Sequence, residues 1–509
     1  MKKLGSKHKK ILIVLGIIVL IAGGWYLSIS AEEEKEEEPL PYDNEMEVEF
    51  NKAILEMFDD STDPSDYNFD EMLRVEKEVV LQEDIEVYIK DDYKTLIFRP
   101  LHENVKLTAS EEREHIIDYG VLYRTITEHD PDTDLKENEM HGFRIVLLEG
   151  ITEIGDGYFK GYHPVSEVLI SSTIKEIGRE SFAESYISVV KMENGVETIG
   201  EGAFRDNPLN HLRISPTIQE ISSSAFENSF YGLNRLYIPE GVTSIGNKAF
   251  ATPSDFEPYR EDHMKQIYLP KTLKAIEKEA FVNHSSLFIL FSDGLESIGE
   301  KAFYGDGITF SELPNTLERV ENQAFKGPLY GEQEVTLTIP KSIKYIGERA
   351  FDSVDARIVF AEGVEDLVID EEAFYGNISD TIIIPSGVEE IKNGAFYGPH
   401  LSLVEIEEGI KTFAVDAFIG SDDLPSITLP ESIETFIPAK SNEEIKDLLF
   451  AFHHTDFEIQ DDKGSELLEK VKESGTGLYE YREGKWIDQH KIEEEEDDSE
   501  EENEESADN

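Results

Sequence analysis

The residues that could carry out chemistry in this sequence are few and lie apart from one another. Ser172 and Lys175 form an SxxK pair, a spacing that some acyl-transfer enzymes use for a nucleophile and its base. The pair lies at a turn between repeated segments, where polar residues are expected in any case. His453 and His454 have no third histidine nearby in sequence and fit a solvated loop better than a metal site. The motifs HExxH, GxSxG and Gly-Lys-Ser/Thr are absent, so we predict no catalytic residue.

Acidic and amide side chains give weak signals for metal binding and modification. Asp130, Asp132 and Asp134 have the alternating spacing of a calcium loop, but a proline interrupts it and the expected glycine and glutamate are missing. An Asx-rich turn is the preferred interpretation, and calcium binding by acidic clusters stays open. Asn283 and Asn377 begin glycosylation acceptor sequences. We therefore predict no metal site and no cofactor.

Composition excludes several classes of function. The 509 residues include 109 acidic and 47 basic side chains, a formal net charge of -62. Such a chain would be repelled by nucleic acid, so a nucleic-acid partner is not expected. The absence of cysteine excludes disulfides, thiol catalysis, cysteine-bound zinc and a lipid-modified cysteine anchor.

The N-terminal region predicts export. Residues 1–30 combine a lysine-rich start with the apolar stretch Ile11–Ile29, and Trp25 and Tyr26 lie near its far end. This length and placement favour a membrane-spanning signal-anchor, with a cleaved signal peptide as the alternative. Residues 31–60 then form an acidic tether. We therefore expect a single-pass protein of a bacterial cell membrane with most of the chain extracellular, or a secreted protein if the signal is cleaved.

The element that organises the chain is a repeat. A phenylalanine, usually preceded by alanine, recurs at spacings of 22 to 31 residues. These residues are Phe159, Phe182, Phe204, Phe226, Phe250, Phe281, Phe303, Phe325, Phe351, Phe374, Phe396 and Phe418. A period of this length is typical of leucine-rich repeats, in which each unit buries its apolar face only against its neighbours.

One clean copy shows the expected design of a unit. Leu236 and Ile238 are alternate residues of a short strand and should point inward, followed by Val242, Ile245 and Phe250 in the same core. The proline after the strand stops it from lengthening. The glycine after the second isoleucine is expected to provide a turn with positive φ.

Three copies carry a specific resemblance. The segments "LYIPEGVTSIGNKAF" (Leu236–Phe250), "LTIPKSIKYIGERAF" (Leu337–Phe351) and "IIIPSGVEEIKNGAF" (Ile382–Phe396) resemble the BspA-like leucine-rich repeats of bacterial surface proteins. The resemblance covers about residues 145–436 and implies a secreted or surface-attached protein linked to adhesion. We predict an α/β solenoid, a leucine-rich-repeat superhelix of about 12 to 13 repeats over residues 141–437.

Small cap regions are expected on both sides of the solenoid. Residues 61–140 should form a mixed domain or cap, with strands at Val79–Leu81, Ile85–Ile89 and Thr95–Phe98 and a helix at Glu111–Tyr119.

The C-terminal cap is assigned to residues 438–492, where a capping box predicts a helix through Phe452. A strand at Phe457–Ile459 and a hairpin through Gly484 should follow. The acidic residues 493–509 are expected to be disordered.

The predicted binding site is the outward row of strand side chains, which we expect to span on the order of 60 Å at about 4.8 Å per strand. The row consists of Val146, Leu169, Lys191, Arg213, Tyr237, Tyr268, Leu290, Glu312, Thr338, Val359, Ile383, Glu405 and Thr428. Two cations followed by two tyrosines are typical of binding hot spots, so Lys191, Arg213, Tyr237, Tyr268 and Leu290 are the predicted ligand-binding residues. The alternative is that such side chains merely suit an exposed strand.

The sequence thus favours a non-catalytic cell-surface protein that binds a protein or surface glycan. Adhesion to host or other bacterial surface proteins is the first hypothesis. An envelope-associated structural or sensory protein with a partner in the same cell is the alternative, and an exported enzyme is the third. The oligomeric state is left open.

Overall fold

The computed structural model describes residues 61–69, 71–75, 82–90, 92–108, 119–130, 142–230, 233–253, 266–284, 287–305, 308–310, 312–327, 335–354, 356–398, 400–418, 420, 424, 427–437, 448–451, 458–459, 478–482 and 485–488. The predicted anchor 1–30, tether 31–60 and tail 493–509 lie outside the described residues. Among the helices of the described part, none has the length and apolar character needed to cross a membrane.

Two ladders of short strands, numbered in chain order, run along the repeats. The first ladder and its extensions comprise β1 (Leu73–Arg74), β2 (Ile85–Ile89), β3 (Thr95–Pro100), β5 (Phe143–Leu147), β7 (Val165–Ile170), β9 (Val189–Met192), β11 (His211–Arg213), β13 (Arg235–Tyr237), β15 (Gln266–Tyr268), β17 (Phe288–Leu290), β19 (Thr309–Phe310), β21 (Val335–Ile339), β23 (Ala356–Phe360), β25 (Thr381–Ile384), β27 (Leu403–Ile406), β29 (Ile427–Thr428), β31 (Leu448–Ala451), β33 (Leu478–Arg482) and β34 (Lys485–Asp488). Its strands pair in parallel between successive coils within each sheet, from β3 to β11, β13 to β19, β21 to β23, β25 to β27 and β29 to β31.

The second ladder follows the first within every coil. It comprises β4 (Val105–Leu107), β6 (Ile151–Ile154), β8 (Glu176–Ile177), β10 (Thr198–Ile199), β12 (Glu220–Ile221), β14 (Ser244–Ile245), β16 (Ala275–Ile276), β18 (Ser297–Ile298), β20 (Arg319–Val320), β22 (Tyr345–Ile346), β24 (Leu367–Ile369), β26 (Val388–Ile391), β28 (Thr412–Ala414), β30 (Thr435–Ile437) and β32 (Glu458–Ile459). From β12 to β32 it forms one parallel sheet of 11 strands. The coil is therefore a β-solenoid turn with two strands.

The recurrent phenylalanines form one interior column, as the period predicts. From Phe159 to Phe418, every successive pair of rings is stacked, with centroids 4.9 to 5.5 Å apart and planes within 15° of parallel. These rings are fully buried, together with Leu236, Ile238 and Val242 of the representative copy. Each coil has little core of its own, so the array is stabilised by the apolar side chains that adjacent coils bury against each other.

The turn before each phenylalanine differs from the expected geometry. The glycine after isoleucine is needed for close approach: a Cβ at Gly200 would lie 2.5 Å from the backbone nitrogen of Arg179, and one at Gly299 would lie 2.6 Å from the carbonyl carbon of Glu277. Positive φ, between 50° and 63°, occurs instead two residues before the phenylalanine, at Gly157, Glu180, Gly202, Ser224, Lys248, Glu279, Lys301, Gln323, Arg349, Glu372 and Gly394. The prediction of positive φ at the Ile-Gly step was therefore wrong.

The solenoid is also not the α/β type that we predict from sequence. The described residues contain one α-helix, α1 (Tyr119–His129), and one 3₁₀ turn, Pro64–Asp66, both before the repeats. In the repeats, the segment between the second strand and the next coil closes by single turns, such as the amide of Ala183 donating to the carbonyl of Glu180 at 3.1 Å. A coil of about 22 residues that also holds two strands leaves too little chain for a helix of ordinary length.

The N-terminal cap continues the first ladder. β2 and β3 confirm the strands predicted at Ile85–Ile89 and Thr95–Phe98; they pair antiparallel, and β3 then pairs in parallel with β5. The predicted strand Val79–Leu81 and most of the predicted helix Glu111–Tyr119 lie outside the described residues.

The C-terminal cap is made of strands where the structure describes it. Leu448–Ala451 is the strand β31, so the helix predicted through Phe452 was wrong there. β32 confirms the predicted strand at Phe457–Ile459, and the antiparallel pair β33 and β34 confirms the hairpin through Gly484. β33 also pairs antiparallel with β31, which ends the run of parallel coils.

Candidate binding face

The outward row predicted from sequence is in register along the first ladder. Strand pairing places Lys191 beside Arg213, Tyr237 beside Tyr268, and Tyr268 beside Leu290. The exception is Glu312: because Ile289 pairs with Phe310, Glu312 lies one residue too far along the chain to continue the row from Leu290.

Lys191 and Arg213 are buried and bonded within the solenoid. The side chain of Lys191 is 6% exposed and lies 3.0 Å from a carboxylate oxygen of Glu193. Arg213 donates to the carbonyl of Met192 and, at 2.6 Å, to Oδ1 of Asn194. The expectation that these two cations are exposed was wrong. Both charged ends bind residues 192–194, at the end of β9 and just after it, which belong to the same coil as Lys191 and to the coil before Arg213.

Tyr237, Tyr268 and Leu290 are buried as well. The two tyrosine rings stack with centroids 4.3 Å apart and planes 1° from parallel. With Leu290 they form an apolar cluster separate from the main core, against which Phe288 packs. Burial is the main cause that raises the pKa of Tyr237 above its ordinary value of 10.0. The outward direction is thus confirmed for these three residues, but their expected exposure was wrong.

The first coils are covered by an N-terminal segment, which we call the strap (residues 61–69 and 71–75). Its side chains Tyr67, Phe69 and Met72 pack against an outer apolar cluster that includes Val146 and Leu169. The strap is also bonded through its backbone, because the amide of Glu149 donates to the carbonyl of Thr62 at 2.9 Å. The strap therefore buries the outer face at this end of the ladder.

The same face is exposed in the later coils. We define the distal patch as Thr338, Val359, Ile383, Leu403, Glu405 and Thr428. Val359 is 47% exposed, Ile383 51% and Leu403 46%, which makes them three of the five large hydrophobic residues described as exposed. Pairing sets Thr338 beside Val359 and Ile383 beside Glu405, and β23 and β25 lie side by side. Clustered exposed aliphatic side chains of this kind are typical of interaction surfaces.

Carboxylates border the distal patch. Glu362, Glu407 and Glu431 are exposed in the turns that follow β23, β27 and β29. Glu407 and Glu408 accept backbone amides of the neighbouring coils, from Ser386 and from Glu431 and Ser432 at 3.0 Å. Over residues 335–437 the chain has 20 acidic and 6 basic side chains. The patch is therefore apolar at its centre and negatively charged at its edge.

The other sequence candidates do not form a site in the described part. Ser172 donates to Glu149 at 3.3 Å, whereas Lys175 lies 3.6 Å from Glu197 and donates to the carbonyl of Gly195. No group of three or more acidic or histidine side chains in the described residues could hold a metal ion. Asp132, Asp134, His453 and His454 lie outside those residues.

The two asparagines of the acceptor sequences have structural contacts. Asn377 is buried, and its Nδ2 donates to the carbonyls of Phe374, Phe396 and Tyr397 at 3.2 to 3.3 Å. Nδ2 of Asn283 donates to the carbonyl of Thr252 at 2.9 Å. Both side chains thus fasten turns of adjacent coils, and Asn377 is inaccessible to a modifying enzyme in the folded chain.

Comparisons with solved structures find proteins of low sequence identity to this chain. A leucine-rich repeat protein from Bacteroides ovatus is 19% identical, with 75% of this chain and 88% of that chain covered and a TM-score of 0.42. A leucine rich cell surface protein from Faecalibacterium prausnitzii is 20% identical over 70% and 83% of the two chains, with a TM-score of 0.32. The pneumococcal vaccine antigen PcpA is 14% identical over 77% and 95%, with a TM-score of 0.33.

No curated protein matches the chain. The family model described as the BspA type leucine rich repeat region, in six copies, matches residues 143–257, 255–355 and 328–442, which is more than half of the chain. This chain belongs to the BspA-type leucine-rich repeat family.

Proposed function

We propose that the protein is a non-catalytic binding protein, displayed outside a bacterial membrane, that attaches its cell to host or other bacterial surface proteins. The distal patch is the docking surface. The observation that supports this proposal is the contrast along one face: Val146 and Leu169 are buried under the strap, whereas Val359 and Ile383 stand half exposed at equivalent positions.

The physical reason is that a partner gains affinity by covering these side chains. Burying one aliphatic side chain of this size contributes roughly 1.5–3 kcal/mol when it is fully removed from water. The patch has a rigid base, since its strands are held by pairing between coils and by the buried core beneath. A rigid surface loses little conformational entropy when a partner docks.

Attachment of cells that display the full chain tests the proposal. The double variant Val359→Glu and Ile383→Glu places charge at the centre of the patch, and we expect attachment to host cells or to other bacteria to fall at least about tenfold, the loss that about 1.4 kcal/mol represents. Leu101→Glu is the matched control, because Leu101 is 48% exposed and lies outside the patch.

Display levels must be equal, as measured with an antibody against the chain. Unchanged attachment of the double variant would refute the proposed docking surface. Equal losses in the double variant and in Leu101→Glu would refute it as well, because the effect would then not depend on the patch.

A further inference from the structure

We infer that the occupant of the distal patch is an extended polypeptide segment that alternates apolar side chains and carries lysine or arginine on both sides of them. This inference rests on the proposed function and adds the chemistry of the partner. It follows from a contact within the chain, from the spacing of the patch residues and from their charge.

The strap shows what the outer face of the first ladder accepts. Tyr67 and Phe69 are two residues apart and both pack on the outer cluster, with the ring of Phe69 4.9 Å from that of Tyr88. The guanidinium of Arg99 lies 4.2 Å from the centroid of the Phe69 ring. An apolar segment with two-residue spacing is thus already bound at one end of this face, and the distal patch presents equivalent positions without such a cover from the described residues.

The distal patch has dimensions that suit such a segment. Val359, Ile383 and Leu403 lie on the successive first-ladder strands β23, β25 and β27, and Leu403 pairs with Thr381, two residues before Ile383. At about 4.8 Å per strand and about 3.4 Å per residue along a strand, Val359 and Leu403 are roughly 12 Å apart. Alternate side chains of an extended segment are about 6.8 Å apart, so two or three of them cover the three aliphatic residues.

The exposed side chains favour a polypeptide over other ligands. The patch itself consists of aliphatic, threonine and glutamate side chains, with no aromatic ring among them for a sugar to stack on. Anionic lipid surfaces and nucleic acids are disfavoured by the surrounding carboxylates. A second copy of this chain would present the same acidic surface, so self-association through the patch is disfavoured as well.

The edge of the patch selects for positive charge. No cation among the described residues pairs with Glu405, Glu407 or Glu408, whereas Arg357, the basic residue of β23, lies 3.5 Å from Asp380. Lysine or arginine next to the apolar residues of a partner would therefore meet carboxylates that the described solenoid leaves without a counter-charge. Such contacts at an exposed rim depend on ionic strength and mainly accelerate association.

Binding of synthetic peptides to the full chain tests this chemistry. The probe is a fluorescent peptide that alternates Leu, Phe and Leu with Thr and ends in two lysines on each side. One comparison peptide has glutamate in place of lysine, and another has serine in place of the apolar residues. We expect the probe to bind at least tenfold more tightly than either, measured as Kd by fluorescence anisotropy, and its affinity to fall as salt is raised.

Variants connect that preference to the patch. Ile383→Glu should weaken probe binding at least tenfold, Glu405→Gln should weaken it two- to threefold and reduce its salt dependence, and Leu101→Glu should leave it unchanged. If Ile383→Glu alters the circular dichroism spectrum, the variant Ile383→Thr is used instead, because threonine already occupies the equivalent positions 338 and 428. For Ile383→Thr we expect a three- to tenfold loss of affinity for the probe peptide. Equal binding of the three peptides, or equal effects of the patch and control variants, would overturn the inference.

The two proposals fail in different ways. Loss of cell attachment in the double variant, with no preference among peptides, would retain the docking surface and reject the partner chemistry. A clear peptide preference that depends on Ile383, with unchanged cell attachment, would retain the partner chemistry and reject the proposed adhesion.

Discussion

Replacing Phe303 by alanine tests the column of stacked rings on which the coils depend. Phe303 is fully buried, and its ring lies 5.2 Å from that of Phe281 and 5.4 Å from that of Phe325. The change removes a whole ring from the centre of the array, where both neighbouring coils rely on it. Phe288→Ala is the matched control, because Phe288 is only partly buried and packs on the cluster of Tyr237, Tyr268 and Leu290 rather than on the main core.

The expected magnitude follows from burial and ring contacts. A fully buried Phe→Ala change costs about 3–5 kcal/mol through lost transfer energy and the cavity left behind. Each stacked aromatic pair contributes roughly 0.5–1.5 kcal/mol beyond burial, so we expect a loss near the upper end of that range. For Phe288→Ala we expect about 1 kcal/mol, since the side chain is already in contact with solvent.

Urea unfolding of the full chain, followed by circular dichroism in the β region, measures both changes. Coils interact mainly with their neighbours, so weakening the centre should also separate the transition into two steps. A loss below about 1 kcal/mol for Phe303→Ala, or one no larger than that of Phe288→Ala, would show that the column does not hold the coils together.

Three further changes test the turns, each by urea unfolding. Lys301 and Gly202 both have positive φ, 55° and 63°, a conformation that favours glycine. Lys301→Gly should therefore stabilise the chain by up to about 1 kcal/mol, and Gly202→Ala should destabilise it by a similar amount. Effects of the same sign in the two variants would contradict this reasoning. Asn207→Ala removes the side-chain donor to the carbonyl of Phe182 and one of the two donors to the carbonyl of Phe204, which keeps Ser229. We expect a cost of about 1–3 kcal/mol, and a cost outside that range would contradict this reasoning. The hydrogen bond from Lys160 lowers the pKa of Glu180 below its ordinary value of 4.5. The ion pair therefore contributes stability above pH 4.5, and this contribution is lost as the pH falls through the lowered pKa. Glu180→Gln should be less stable than wild type at pH 7, and the difference in stability should disappear in acid.

The sequence predicts the interior of the solenoid well because the interior repeats. Each coil places the same residue types at the same positions, so the Phe column, the inward strand residues and the register of the first ladder all follow from one period. The alternation of a strand is a local property, and it correctly sends Tyr237 and Val359 away from the main core. These features need no knowledge of which coil lies beside which.

The role of the glycine after isoleucine was misassigned from sequence because it depends on contacts between coils. Glycine after isoleucine has two physical explanations, positive φ or close approach, and only the backbone of the preceding coil distinguishes them. The Gly200 position illustrates this, because the limiting atom is the backbone nitrogen of Arg179, 21 residues earlier. The missing helices have a different origin: a coil of about 22 residues that also holds two strands leaves too little chain for a helix of ordinary length.

Solvent exposure of the outer-face side chains is the property that the sequence predicts least well. Residue type points to Lys191 and Arg213 as binding residues, since they stand out in an acidic chain. Both are buried, however, and both are bonded to residues 192–194 at the end of β9 and just after it. Val146 and Leu169 are covered by a strap that lies about 80 to 100 residues away in sequence. Strand alternation places Val359 and Ile383 on the outer face together with Val146 and Leu169. No local pattern distinguishes the exposed pair from the covered one.

The division of the face has a consequence for how partners are selected. Several cations of the early coils pair with carboxylates of the solenoid, as Lys191 does with Glu193 and Arg144 does with Glu167 at 2.6 Å. In the distal coils acidic residues outnumber basic ones by more than three to one. Among the described residues, the exposed aliphatic side chains and the excess of carboxylates therefore occur in the same coils. If the proposed apolar segment binds here, a segment without cations would approach carboxylates that no described cation neutralises. We therefore expect charge at the rim to determine which apolar segments bind.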